Sequence, residues 1–294
     1  MVVIASRRAL VALLVGLAAG ACAPPGPPAS SPPLGPPVAG LGRAVQFGGA
    51  GTGRVDRIEI PVDGPRSADV GADEFTVEWW MRGLRSANPG GAPTCGAGQY
   101  GWITGRTVID RDRWPASGPD GRDWGVSVGS DGRVAFGADD GSSRATVCTA
   151  GVDVLDGAWH HVAVQRRAGR LEVWVDGARR GSVVAPGGDL SYPDAAPGAR
   201  ATDPYLVIGA EKHDAGPAYP SFAGWVDELR VSHVARYDGP FSLPGPFTPD
   251  PSTAGLWHFD EVGGPTALDS SGAAGGPAHG TFRVDPSTGL PRRT

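Results

Sequence analysis

The sequence has almost no lysine: Lys212 is the only one, and its arginines form no cluster. A chain without a basic patch lacks the counterion-releasing surface that nucleic acid requires, so nucleic acid is excluded as a partner. No C-x-x-C or H-E-x-x-H pattern occurs, which removes the common zinc arrangements. The body shows no convincing helix and no internal repeat. Long apolar runs are missing too. The uncharged stretch from Ala9 to Ala21 is short of the ~20 residues that a bilayer-crossing helix needs.

That stretch follows Arg7 and Arg8, and reads as the apolar core of a signal peptide. It ends in Leu17-Ala18-Ala19-Gly20-Ala21-Cys22, which resembles the lipobox of bacterial lipoproteins, with Ala19 where leucine is usual. The resemblance implies cleavage before Cys22 and lipidation of that cysteine. The alternative is plain secretion after an A-x-A-like site. Residues 1–21 are thus a signal peptide. Residues 22–40 are the lipidated cysteine and a Pro/Gly/Ala-rich tether, too poor in apolar side chains to offset its ordering entropy. Residues 41–294 form one folded domain, long enough to bury a sizeable core. Losing Arg7 and Arg8 moves the net charge from −5 to −7. The expected location is the bacterial envelope, facing the periplasm or the cell surface, with the lipid as membrane anchor. Of three cysteines, Cys95 and Cys148 remain beside Cys22. An even pair in an exported domain reads as a disulfide, against the alternative of two free buried thiols.

What fills the body is a series of short β-branched and aromatic runs separated by Gly, Pro and Asp clusters. In Phe75-Thr76-Val77-Glu78-Trp79-Trp80-Met81, alternation puts Phe75, Val77, Trp79 and Met81 on one face. Turn signals occur at residues 129–132, near Gly169, and at Asp176-Gly177, where Asp-Gly tolerates the positive φ of a two-residue hairpin. About a dozen such strands predict an all-β, two-sheet antiparallel sandwich or jellyroll.

Five segments, in order, carry a specific resemblance. They are Ala44-Val45-Gln46-Phe47-x-Gly49, Phe75 to Trp80, Asp156 to Val164 with Leu171 to Gly177, Gly224 to Val231, and Leu256 to Glu261 with Asp269 to Gly272. Together they resemble the LamG-like domains of the concanavalin A-like lectin/glucanase superfamily over residues 41–284. The resemblance implies a jellyroll of two stacked antiparallel sheets. It leaves function open, because members bind sugars or proteins and many are accessory modules.

Asp227 is the most informative polar residue. Strand alternation places it with Trp225, Leu229 and Val231, and puts Glu228 and Arg230 on the other face. A carboxylate on an apolar face needs a partner or a cation. The resemblance implies a structural Ca2+ between Asp227 and backbone carbonyls near Gly48, Gly49 and Gly51. The alternative is an Asp bonded only to loop N–H groups.

Other motifs reduce to structure. Ser127 in Gly125-Val126-Ser127-Val128-Gly129 sits inside a strand with no helix after it, so it is no nucleophile elbow. Gly96 to Gly101 matches G-x-G-x-x-G but links no βαβ unit. His160 and His161 are adjacent on a strand, point to opposite faces, and cannot chelate one metal as a pair. Related sandwich enzymes place catalytic acids as E-x-D-x-E, and no such run exists here. The nearest pair, Asp110 and Asp112, shares a face, and retaining hydrolysis would need such a pair about 5 Å apart. The two are equally readable as solvated edge residues or Arg partners.

The expected function is therefore a non-catalytic binding module for carbohydrate or an envelope protein. A purely structural envelope lipoprotein is the alternative, and a glycan-active hydrolase the third reading. The candidate surface is the loop set at 86–123. There Tyr100 and Trp114 offer aromatic faces, with Asp110 and Asp112 as polar candidates, while Trp102 and Trp124 read as core.

Overall fold

The computed structural model describes residues 40–64, 67–113, 121–192 and 204–294. Cys22, the tether and Trp114 lie outside the described residues. Among the described residues, seventeen strands and two short 3-10 turns make up the ordered elements, and two antiparallel sheets stack face to face, as the sequence predicts.

Sheet A runs in the order β11 (Ala178–Val184), β10 (Arg170–Val175), β9 (Asp156–Arg167), β3 (Phe75–Leu84), β13 (Ala223–Ser232), β1 (Val45–Gly48) and β17 (Arg292–Arg293). The second half of β13 also pairs with β14 (Thr253–Trp257). Sheet B runs β15 (Thr266–Ala267), β16 (Gly280–Arg283), β2 (Arg57–Pro61), β12 (Tyr205–Ile208), β5 (Arg106–Asp110), β6 (Arg122–Val128), β7 (Val134–Asp140), β8 (Arg144–Cys148) and β4 (Gly96–Ala97). Consecutive runs, β9 to β11 in sheet A and β5 to β8 in sheet B, are joined by pairings between distant parts of the chain, such as β3 with β13 and β2 with β12, as in a jellyroll.

The alternation read in β3 holds. Phe75, Val77, Trp79 and Met81 are all in the core, with Val162 and Val164 of β9 and Leu171, Val173 and Val175 of β10 beside them. Trp124, Val126 and Val128 of β6 answer from sheet B, and the Phe75 ring lies 5.4 Å from that of Trp124. The Asp-Gly turn holds as well: Asp176 and Gly177 both take positive φ, 52° and 76°, and join β10 to β11 directly.

The outer face of sheet A is roofed by residues 233–252. Tyr237 and Phe241 stack 3.7 Å apart over Trp174, and Phe247 packs with Trp80, Leu41 and Leu256. Beneath this strap, buried Glu78 meets His161 at 3.1 Å, Arg230 at 2.7 Å and the Tyr237 hydroxyl.

The parity read for β13 is overturned. Val226 and Leu229, three apart, both face the core. Glu228 adopts φ 52° and the pairing with β3 slips between Asp227 and Arg230, so a bulge inserts one residue and flips the face. Asp227 thus points outward with Trp225, buried under neighbouring segments rather than in the sandwich core. Glu228 is equally buried. It accepts hydrogen bonds from Phe247 N at 2.8 Å and His258 Nδ1 at 2.7 Å.

Candidate functional site

The outer face of sheet B carries a concave polar site. A second bulge, in β5, makes the successive residues Val108 and Ile109 both face the core. Asp110 and Asp112 are thereby sent to the outer face together, as the sequence suggested. In β6, Asp123, Gly125 and Ser127 share that outer face, opposite Trp124 and Val126.

Residues 93–104 lie over this surface. Trp102 is fully buried between Gly125 and Gly137, where an added Cβ would come within 2.1 Å and 2.0 Å of its ring. Only glycine permits that approach. Ser127 Oγ donates to the carbonyl of Trp102 at 2.5 Å, which settles Ser127 as structural. The segment is stapled to β8 by a disulfide between Cys95 and Cys148, with Cα atoms 5.8 Å apart, as expected from the even cysteine pair. Tyr100 packs edge-on against Trp102 at 5.8 Å and donates its hydroxyl to Asp123.

Between this segment and the loop after β12 lies a cavity of about 290 Å³. Its walls include Tyr100, Asp112, Asp123, Arg144, His213 and Tyr219, with Glu211, Asp214, Asp139 and Arg113 also lining it. Asp112 Oδ2 stands 3.3 Å from His213 Nδ1, and its backbone carbonyl accepts Lys212 Nζ at 2.8 Å. Glu211 accepts the N–H of His213 at 2.9 Å and that of Asp214. Arg144 pairs with Asp139 at 3.2 Å and lies 5.2 Å over the Tyr100 ring. Ligand atoms of Asp112, Glu211 and His213 lie within 4.8 Å of one another, so among the described residues this trio could hold a metal.

The electrostatics are those of crowded acid. Burial, aided by Asp112 and Glu211, pushes the Asp110 carboxyl up to about 8. Burial and then Asp112 push Asp123 well above the carboxylate range, and burial raises Glu211. For Asp112, burial is outweighed by His213, and the group is held below its ordinary value.

Of the sequence candidates, Tyr100 and Asp112 reach the cavity. Asp110 does not. It is fully buried behind the wall, with its oxygens taken by the N–H groups of Asp112 at 2.7 Å and Lys212 at 2.8 Å. The bulge and the turn after it close over Asp110, so it is a structural hydrogen bonder rather than a ligand contact. Trp102 and Trp124 are core, as read. His160 bridges Asp176 at 2.7 Å and Asp156 at 3.1 Å, also as a structural hydrogen bonder.

The calcium donor set is not assembled. Register places Val226 opposite Val45 and Ala223 opposite Gly48. Asp227 therefore lies beyond the start of β1, about four residues or ~13 Å along the strand from Gly48. The N–H groups of Gly48 and Ala50 instead serve the Asp56 carboxylate, at 3.0 and 3.2 Å. Asp227 Oδ1 accepts its neighbour's N–H and Oδ2 has no partner. The residues near Gly48, Gly49 and Gly51 do not fit a shared ion with Asp227.

Sequence reasoning missed Asp123, Glu211, His213 and Tyr219. A signal was present for some of them. Asp123 heads the outward parity of β6, and Glu211-Lys212-His213-Asp214 is a charged run directly after a strand, holding the only lysine.

A family model described as the concanavalin A-like lectin/glucanases superfamily (Laminin G type) matches residues 56–238. The chain belongs to this superfamily. The chain is also similar to several solved structures. The LG4-5 domains of the mouse laminin alpha1 chain are 16% identical, with TM-score 0.43, over 71% of this chain and 47% of that one. A candidate carbohydrate-binding protein from Bacteroides ovatus is 15% identical, with TM-score 0.48, over 82% of this chain and 58% of that one. A heptameric SAP-like pentraxin from Limulus polyphemus is 16% identical, with TM-score 0.42, over 68% of this chain and 80% of that one. The chain thus spans about half the length of the first two. No curated protein matches the chain.

Proposed function

We propose that this superfamily member is a non-catalytic binding module, tethered through Cys22 to a bacterial envelope, whose cavity on sheet B takes a hydroxyl-rich ligand such as a glycan. The carrying observation is the cavity itself. It combines Tyr100 and Tyr219 rings with carboxylates, an arginine and a histidine, in a volume of about 290 Å³. Sugar recognition uses this mixture: a flat apolar face for the ring and fixed acceptors for its hydroxyls. A hydrolytic reading finds no support in the Asp110 and Asp112 pair, because buried Asp110 has its oxygens engaged by backbone N–H groups.

The test is a glycan and peptidoglycan binding screen on the mature chain. Tyr100→Ala should weaken any hit by about tenfold, the loss of one aromatic platform. A screen with no hit, or hits indifferent to Tyr100→Ala, would assign the cavity no glycan role. The tether has its own test. Cys22→Ala should release the protein from membranes and remove the lipid mass, and a variant that stays membrane-bound would refute the anchor.

A further inference from the structure

We propose that the cavity selects a ligand carrying a primary ammonium group, such as an amino sugar with its amine unmasked, and that Asp123 is the carboxylate that receives it. This rests on the glycan-binding reading and names the class of sugar.

Asp123 is 5% exposed. One oxygen takes the Tyr100 hydroxyl, and the other, Oδ1, has no hydrogen-bond partner. A buried carboxylate oxygen left bare is a costly arrangement that an incoming donor relieves. The cations nearby are committed elsewhere: Arg144 to Asp139 at 3.2 Å, His213 to Asp112 at 3.3 Å, Lys212 to the Asp112 carbonyl, and Arg111 to the carbonyls of Arg122 and Leu190. Acid outnumbers base along the walls, with Asp112, Asp123, Asp139, Glu211 and Asp214 against Arg113, Arg144 and His213. A sugar hydroxyl would supply one donor and no charge. An ammonium supplies three donors and the missing positive charge. The rings of Tyr100 and Tyr219 in the same walls suit such a cation beside a sugar ring.

A divalent metal at Asp112, Glu211 and His213 is the competing occupant. Glu211 already accepts two backbone N–H groups there, and Asp123 is not among that metal-ready group. A metal would therefore leave the bare oxygen of Asp123 unserved.

Protons follow. Asp123 faces Tyr100, Asp112, Asp139 and Arg111, and burial followed by Asp112 raises its carboxyl. An arriving ammonium needs the carboxylate, so binding releases a proton. Affinity should rise with pH through that titration and fall once the amine itself loses its proton.

The experiment compares two probes on the full mature chain by calorimetry: a glucosamine tetramer and its N-acetylated counterpart. The free amine should bind about tenfold tighter or better, releasing protons in buffers of differing ionisation enthalpy. Asp123→Asn should erase that preference, so that the two probes bind the variant within about twofold of one another. Equal affinities, or a preference for the acetylated sugar, overturn the inference and leave the glycan reading standing. Failure of every glycan overturns both. Ca2+, Mn2+ and Zn2+ alone form a third arm, and metal binding abolished by Asp123→Asn overturns the inference. The wild-type comparison decides even if the variant does not fold.

Discussion

The outer faces of the two sheets bury acid in opposite ways. On sheet A, each of three glutamates is answered. Glu78 meets His161, Arg230 and Tyr237, Glu172 meets Arg179 at 2.7 Å and Gln165 at 2.8 Å, and Glu228 meets His258 and the N–H of Phe247. A strap of aromatic residues covers them. On sheet B, Asp123 keeps an oxygen bare beside an open cavity. Buried acid with all its partners in place holds a structure together. Buried acid short of a partner carries a standing cost in stability.

The comparison breaks first at Glu78. Burial alone would raise its carboxyl, but His161, Arg230 and Tyr237 overcome that and hold it below the ordinary value. Glu78→Ala leaves Arg230 and His161 buried and unanswered, and should cost about 3–5 kcal/mol in chemical denaturation. A loss below about 1 kcal/mol would mean that the strap is held like a surface ion pair. Because the folded carboxyl lies below its unfolded value, Glu78 stabilises above the unfolded value, and that contribution disappears as pH falls through the folded one.

The second test concerns how each face is covered. Buried charge holds the strap over sheet A, while a covalent staple holds residues 93–104 over sheet B. Replacing Cys95 and Cys148 by alanine should cost about 2–4 kcal/mol. Amide exchange should quicken in residues 93–104 and stay unchanged in 233–252. Equal quickening in both segments would show the two covers to be one cooperative unit.

Much of the fold was legible because alternation and turn chemistry are local. Phe75 to Met81 face as read, and Asp176-Gly177 turns as read. Reading failed at β13 because glutamate seldom adopts a left-handed backbone, and nothing in Trp225 to Val231 announces φ 52° at Glu228. The site was half legible. Tyr100 and Asp112 carry their chemistry in residue type, but Asp123, Glu211 and His213 meet them only through sheet order. β12 and β6 flank β5 in space although β12 lies far along the chain. Burial is likewise invisible in a string, which is why Asp110 read as a contact and proved to lie behind the wall.

Asp227 is the exception on sheet A and gives the finest test. Burial, then Glu228, pushes its carboxyl up to about 8, against 3.8 unperturbed. The folded group binds its proton more tightly than the unfolded one. Its contribution to stability is therefore complete below the unfolded value and drains away as pH rises toward about 8. Asp227→Asn keeps the shape and removes the titration. The variant's advantage over wild type should grow from pH 5 to pH 8, reach about 1–3 kcal/mol, and level off above it. Distant titrating groups cancel in the difference, and Glu228 is the neighbour whose own change has to be followed. A bound Ca2+ would predict the reverse. It would keep Asp227 ionised, make the variant the weaker protein across the range, and make chelation lower the wild-type melting temperature. A slope that falls with pH in wild type, is absent in Asp227→Asn and is indifferent to chelator identifies a buried acid held without a cation.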